Sequence, residues 1–304
     1  MSSQPIPSGV SQLELAIERS REKDRNFHLG GRSFYFFDFD DNVAFLSTPL
    51  VLFHKQSGEE KMVSSGQWAL EHVRIGKTGI YKDFEIRWED QTGTFRHFRD
   101  HDEEQLRKLG FSTQTFLQDV AEALGFPDLQ WKGPSWQCFY HATFNQRPVS
   151  VITARGHEAE TIKGGVRLLV GSGHLPMEPN YLSIFPVSNP EIRKFLGDAE
   201  LNENTAELKQ RAIRASVEMA LRTYGYSAHH RFGMSDDDPR NIQLIIEEMT
   251  RLKATYPEMS FFMIETHKGD FVKHEITLSG LKGSRVPSSD TSQQSLSETQ
   301  IRLF

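Results

Sequence analysis

From Pro148 to Glu265 the chain alternates between two textures, and that alternation restricts the folds open to it. β-rich runs ("PVSVITARGH", "NYLSIFPVSN", "AHHRFGMSDDD", "MSFFMIETH") take turns with helical patterns ("EAETIKGGVRLLVGSG", "TAELKQRAIRASVEMALRTYG", "PRNIQLIIEEMTRLKATYP"). A strand followed by a helix and another strand pairs in parallel, because the crossover helix carries the chain back over one face of the sheet. The expected fold is α/β: a Rossmann-like parallel sheet with helices on both faces. "RSFYFFDFDDN" adds an earlier buried strand over Ser33–Phe37 that ends against three aspartates, Asp38, Asp40 and Asp41.

The rest of the chain is organised around that core. Residues 27–56 and 146–282 form it, and 57–145 form an inserted α+β module rich in Trp, Phe, charge and Gly turns. Residues 1–26 are an N-terminal extension, with a short helix expected in "SQLELAIERSREKDRNF". The Ser-rich tail 283–304 is expected to be disordered. Within "LSTPLVLFHK", Ser47 or Thr48 is expected to cap a helix, with Pro49 in its first turn. "DFEIRWEDQTGTFRHFRD" reads as a hairpin, and "STQTFLQDVAEALGF" as a helix capped by Ser112 and stopped by Gly125.

Composition removes several function classes. With 37% hydrophobic and 25% charged residues over 304 positions, a soluble globular core is expected. The formal charge of -6 disfavours bulk electrostatic binding of nucleic acid, leaving only a local basic patch. Cys138 is the single cysteine, which excludes an internal disulfide and any multi-cysteine metal site. The 12 histidines show no HExxH and no Cys/His metal spacing. The N-terminus lacks the order of a secretory signal and no apolar run reaches a membrane span, so the cytoplasm is the expected compartment.

Three strands end in chemically loaded sequence: "FYFFDFDDN", "VSVITARGH" and "RFGMSDDDPRN". In an open parallel sheet, ligands bind outside the carboxyl ends of the strands, so these groups can share one crevice. Clustered carboxylates repel one another unless a positive group sits among them. "SDDDPRN" also reads as a capped helix start, and Thr153 as a cap for the helix that follows.

In this order and strand context, the chain resembles the haloacid dehalogenase-like (HAD) superfamily of phosphohydrolases. Asp38-Phe39-Asp40 matches its first motif, Thr153 its second, Lys209 in "AELKQRAI" its third and "SDDDPRN" its fourth. The family often has Gly where Asp41 stands, and usually Thr or Val where Asn42 stands. The resemblance implies a phosphatase or phosphotransferase working through an aspartyl-phosphate. Asp38 would be the nucleophile and Asp40 the acid/base that serves the leaving oxygen. Thr153, with backbone N–H groups at a helix start, and Lys209 would bind phosphate. Mg2+ would be held by Asp38, the backbone carbonyl of Asp40, and Asp236 or Asp237. Asn42 would support the loop through its amide, and Asn241 would assist the fourth motif. Arg155 either touches substrate or anchors a loop, and Lys209 on its own reads equally well as a solvated helix lysine. His157 is a helix-start residue that can face the crevice.

The insertion would then be a cap, which favours a small phosphorylated metabolite as substrate. Trp68, Tyr81, Phe84, Trp88, Phe95 and Phe98 would line its lid surface or fill its own core. Arg74, Lys77 and Lys82 would attract an anion or simply be solvated. Two other functions stay open: a phosphatase of nucleotide or polynucleotide ends, and a non-catalytic module that binds phosphorylated ligands.

Overall fold

The computed structural model describes residues 20–266 and 271–286. Strand β1 (Ser33–Phe37) is buried along its whole length. Next come β2 (Leu50–His54), β3 (Glu60–Val63), α1 (Ser65–Glu71), β4 (Phe84–Glu85), α2 (Glu103–Leu109), α3 (Thr115–Ala123), α4 (Asp128–Trp131) and α5 (Trp136–Phe144). The regular alternation then runs β5 (Pro148–Thr153), α6 (Ala159–Gly171), β6 (Asn180–Pro186), α7 (Pro190–Phe195), α8 (Thr205–Tyr224), β7 (Arg231–Asp236), α9 (Pro239–Thr255) and β8 (Ser260–Glu265). A hairpin of β9 (Phe271–Thr277) and β10 (Gly280–Val286) closes one edge.

Among the described residues the main sheet has seven strands, in the order β10-β9-β8-β7-β1-β5-β6. Strands β6, β5, β1, β7 and β8 are parallel, while β9 pairs antiparallel with both β8 and β10. From β1 the path moves out to β5 and β6 on one side, then crosses back to β7 and β8 on the other. That reversal puts a topological switch point at the carboxyl end of β1, where such sheets open a crevice.

The aromatic run of β1 explains its central place. Successive side chains point to opposite faces of a sheet. Tyr35 and Phe37 therefore join one core with residues of α3, α5 and α6, such as Phe116, Phe139 and Val166. Phe34 and Phe36 join the other core with Leu208, Ile213 and Val217 of α8 and Ile245 and Met249 of α9. A strand covered on both faces has no polar side, which is why the run carries no alternation of polarity.

The glycines of α6 also have a packing reason. A Cβ at Gly165 would lie 2.3 Å from Phe116 Cε1, so α3 and α6 approach more closely than alanine allows. Gly165→Ala is expected to destabilise the protein by about 1–3 kcal/mol through overpacking, despite the better helix propensity of alanine. Urea unfolding measures it; a stabilised variant would show that the Phe116 ring can move aside.

Several local expectations are corrected. Leu50–His54 is a strand, not a helix: its Leu-Val-Leu-Phe run is buried and pairs with β3 and β4 in a separate three-stranded sheet. Thr48 caps nothing; its hydroxyl donates to the Asp119 carboxylate. The boundary at 56/57 falls in the turn of the β2–β3 hairpin, and α3 and α5, both within 57–145, pack on the main sheet. The expected hairpin over "DFEIRWEDQTGTFRHFRD" does not form, because β4 pairs with β2 and Arg96–Phe98 is a 3-10 turn. Helix α3 begins at Thr115 with no side-chain cap, so Ser112 is not its cap.

Most of the expected N-terminal helix lies outside the described residues. From Ser20 to Asn26 the chain is not helical, and Asp24 instead accepts from Ser33 N at 2.9 Å and pairs with Arg147. Gly283–Val286, assigned to the tail, belongs to β10; the remainder of the tail lies outside the described residues. Among the described residues, no helix is long and apolar enough to cross a membrane.

Candidate active site

Three strand ends meet at the switch point. Asp38 follows β1 directly, Thr153 closes β5, and Asp236 closes β7. Parallel pairing of β1 with both neighbours brings these ends to one edge. Backbone bonding carries past the strand end, with Asp38 N donating to Ser235 O at 3.1 Å. Phe39 turns into the core against Phe116 and Phe139, while Asp38 and Asp40 flank it on the other side of the extended chain.

Lys209 is not a solvated helix lysine. It is 1% exposed, and its Nζ donates to Asp38 Oδ2 and Asp236 Oδ2, each at 2.9 Å. Helix α8 delivers it from near its N-terminus, which Asn204 caps through Glu207 N. Burial opposes the lysine charge, yet Asp236 and then Asp38 outweigh it and hold the ammonium above the ordinary lysine range.

Asp38, Asp236 and Asp237 bring carboxylate oxygens within 4.8 Å of one another. Burial is the largest influence on Asp38 and pushes its carboxyl well above the usual range; Lys209 pulls it down, and Asp236, Asp237 and Asp40 push it up again. Burial, followed by the charge of Asp236, raises Asp237 to about 7. The directions at Asp38 and Lys209 pull against each other. Two oxygens at 2.9 Å from one Nζ make the protonated lysine the firmer of the two. Three carboxylates against one ammonium leave the cluster short of positive charge. An all-oxygen donor set of this kind suits a hard divalent cation such as Mg2+. Asp236 and Asp237 of the fourth motif are therefore both in the cluster, and the side chain of Asp40 is not.

Asp40 is engaged elsewhere. Arg155 Nε lies 3.0 and 2.9 Å from its two carboxylate oxygens, Arg155 Nη2 lies 2.6 Å from Oδ1, and Thr153 Oγ1 donates to Oδ2 at 3.2 Å. Arg155 is thus the loop anchor of the two readings left open by sequence. Thr153 sits beside Asp40, and three of the backbone N–H groups that follow it are bonded within the protein. Arg155 N donates to Thr153 Oγ1, Gly156 N to Phe98 O and Glu158 N to Asp100, and α6 starts only at Ala159. His157 does not face the crevice. It is fully buried, with Nε2 at 3.2 Å from Thr115 Oγ1 and its ring against Phe116.

Asn42 staples the edge together from a fully buried position. Its Nδ2 donates to Asp38 O, Ser235 O and Ser235 Oγ at 3.0, 3.1 and 2.9 Å. Its Oδ1 accepts from Ser135 Oγ and Thr266 Oγ1, both at 2.9 Å. A Thr or Val could not span these four elements. Asn42→Ala should cost on the order of 3 kcal/mol in urea unfolding, because buried partners lose their bonds and regain no water. A loss below about 1 kcal/mol would show that they find other partners. Asp41 adopts φ 56, the left-handed region where glycine is at ease. Asn241 Nδ2 lies 3.2 and 3.4 Å from the Asp236 oxygens, which fits a supporting role.

Of the aromatic lid candidates, Tyr81 is buried in the core of the small sheet, and Trp68, Phe84, Phe95 and Phe98 pack against that core. Trp88 is 72% exposed. Arg74, Lys77 and Lys82 are exposed. Sequence reading missed Thr48 and Asp119. Asp119 had a visible signal, an acid among Phe116, Val120 and Ala123 on the buried face of α3. Burial there raises its carboxyl to about 6.

Compared with family models, curated proteins and solved structures, the chain matches none.

Proposed function

We propose that the protein is a HAD-like, magnesium-dependent phosphatase or phosphotransferase that works through an aspartyl-phosphate on Asp38. One observation carries this reading: a buried lysine bridges two strand-end carboxylates, with a third acid beside them, at the switch point of a parallel sheet. Mg2+ held by Asp38, Asp236 and Asp237, with the Asp40 carbonyl, would supply the charge that lets a carboxylate approach a phosphoryl group.

The chain's own residues do the rest. An oxygen of Asp38 forms a bond to phosphorus as the bond to the leaving oxygen breaks, and the leaving oxygen takes a proton from the Asp40 carboxyl. Water then attacks phosphorus and gives a proton to Asp40. The bond to Asp38 breaks, its electron pair returns to the carboxylate, and inorganic phosphate departs. Lys209 balances charge on Asp38 and on the transferring group. The second acid favours phosphoryl transfer over dehalogenation, since a halide leaves without a proton.

The small-sheet module, inserted between the first two motifs, is the natural cap, which favours a small phosphorylated metabolite over a polynucleotide end. The test is a screen with Mg2+ across sugar phosphates, nucleotides and phosphorylated oligonucleotides. Phosphate release from small esters supports the reading. Tight phosphoester binding without turnover would favour a ligand-binding module, and preference for oligonucleotides would favour a polynucleotide-end phosphatase.

A further inference from the structure

Arg155 stands where the small-sheet module joins the main sheet. It is completely buried, and its guanidinium lies between the Phe98 and Phe116 rings, 4.9 and 4.7 Å from their centroids. Its Nη2 donates to Thr48 Oγ1 at 2.6 Å, and its Nη1 is buried with no hydrogen-bond partner among the described residues. Thr48 lies on the segment entering the module and Phe98 on the segment leaving it. The exit segment is tied to the β5–α6 loop by Gly156 N to Phe98 O at 2.8 Å, and by Asp100 Oδ2, which accepts from Glu158 N at 2.7 Å and Thr161 Oγ1 at 2.9 Å. Both connecting segments therefore touch one guanidinium, and that guanidinium grips Asp40.

We infer that Arg155 is a positioning residue through which the module's hinge sets the orientation of the Asp40 carboxyl. The inference rests on the phosphoryl-transfer reading, in which Asp40 gives and takes one proton per turnover. A guanidinium bonded to both carboxylate oxygens fixes their plane as well as their distance, which a single hydrogen bond does not. Asp40 keeps 26% side-chain exposure beside a wholly buried Arg155, so one edge of the carboxyl stays open to a leaving group. The second grip, by Thr48 and the two rings, keeps Arg155 itself from turning. Asp119 completes the chain by accepting from Thr48. A displacement of the hinge reaches Asp40 through two contacts, without either hinge segment touching substrate.

The test changes the hinge and leaves Arg155 and Asp40 in place. Thr48→Val removes one of the two acceptors of Nη2 and leaves Asp40, Phe98→Leu removes one ring, and Thr48→Ser keeps the hydroxyl. Wild type and variants are assayed with Mg2+ on an alkyl phosphate, whose leaving oxygen needs a proton, and on 4-nitrophenyl phosphate, whose leaving group does not. In Thr48→Val and Phe98→Leu, kcat on the alkyl ester should fall by at least about 10-fold, while the aryl ester changes by less than about 3-fold. Thr48→Ser should keep the wild-type ratio, and melting curves should show all three folded. Equal losses on both esters, or an unchanged ratio in an active wild type, overturn the inference and leave the phosphoryl-transfer reading standing. A wild type that turns over neither ester overturns both.

Discussion

Asp38→Asn should abolish magnesium-dependent phosphate release, with a loss on the order of 10⁴-fold or more in kcat. The amide keeps the shape of the side chain but loses the electron pair that attacks phosphorus. The fold should survive, because the bond from Phe39 N to Asp38 Oδ1 at 2.9 Å needs only a carbonyl oxygen there. Lys209 also keeps Asp236 as a partner. Steady-state kinetics beside a melting curve separates the two effects. A folded variant that retains more than about a tenth of the wild-type rate would remove Asp38 from the chemistry.

Lys209→Met should produce a large loss of stability. It removes the one ammonium bonded to Asp38 and Asp236 and leaves buried carboxylates facing each other. Breaking a buried ion pair from one side costs about 3–5 kcal/mol, because the remaining charge is neither solvated nor compensated. The loss should be greatest in chelator, and Mg2+ should recover part of it, since a ligand that binds only the native state stabilises it by mass action. Urea unfolding with EDTA and with Mg2+, on wild type and variant, measures both terms. A variant as stable as wild type in EDTA would mean that the acids protonate at no cost and that the ion pair is not what holds the edge together.

How much of this was legible in sequence depended on the kind of signal. Apart from the short α7, which the sequence reading passed over, the strands and helices from Pro148 to Glu265 were readable because buried parallel strands and amphipathic helices leave strong, distinct patterns. Strand β2 was misread because "STPLVLFHK" carries a good cap and an apolar run, and only its pairing with β3 and β4 shows which local preference prevails. The gathering of Asp38, Asp40, Thr153 and Asp236 at one sheet edge was expected because each follows or closes a strand of a parallel sheet, whose carboxyl ends open a common crevice. The role of Lys209 did not. A lysine on a helix carries no mark of burial until α8 is docked on the sheet and the two carboxylates are in place. Arg155 was likewise ambiguous, since its partners Thr48, Phe98 and Phe116 come from distant segments that the fold alone brings together.

The most direct test of an aspartyl-phosphate on Asp38 uses a variant in which it should accumulate. Asp40→Asn leaves the first step open to an aryl ester, which departs without a proton, but removes the base that activates water for the second. The variant is mixed with 4-nitrophenyl phosphate and Mg2+, quenched in acid, digested, and its peptides weighed. One phosphoryl group should appear on the peptide that contains Asp38, disappear on treatment with neutral hydroxylamine, and be absent when Mg2+ is withheld. Release of 4-nitrophenol with no phosphoryl group on Asp38, or with the group on another residue, would contradict the account.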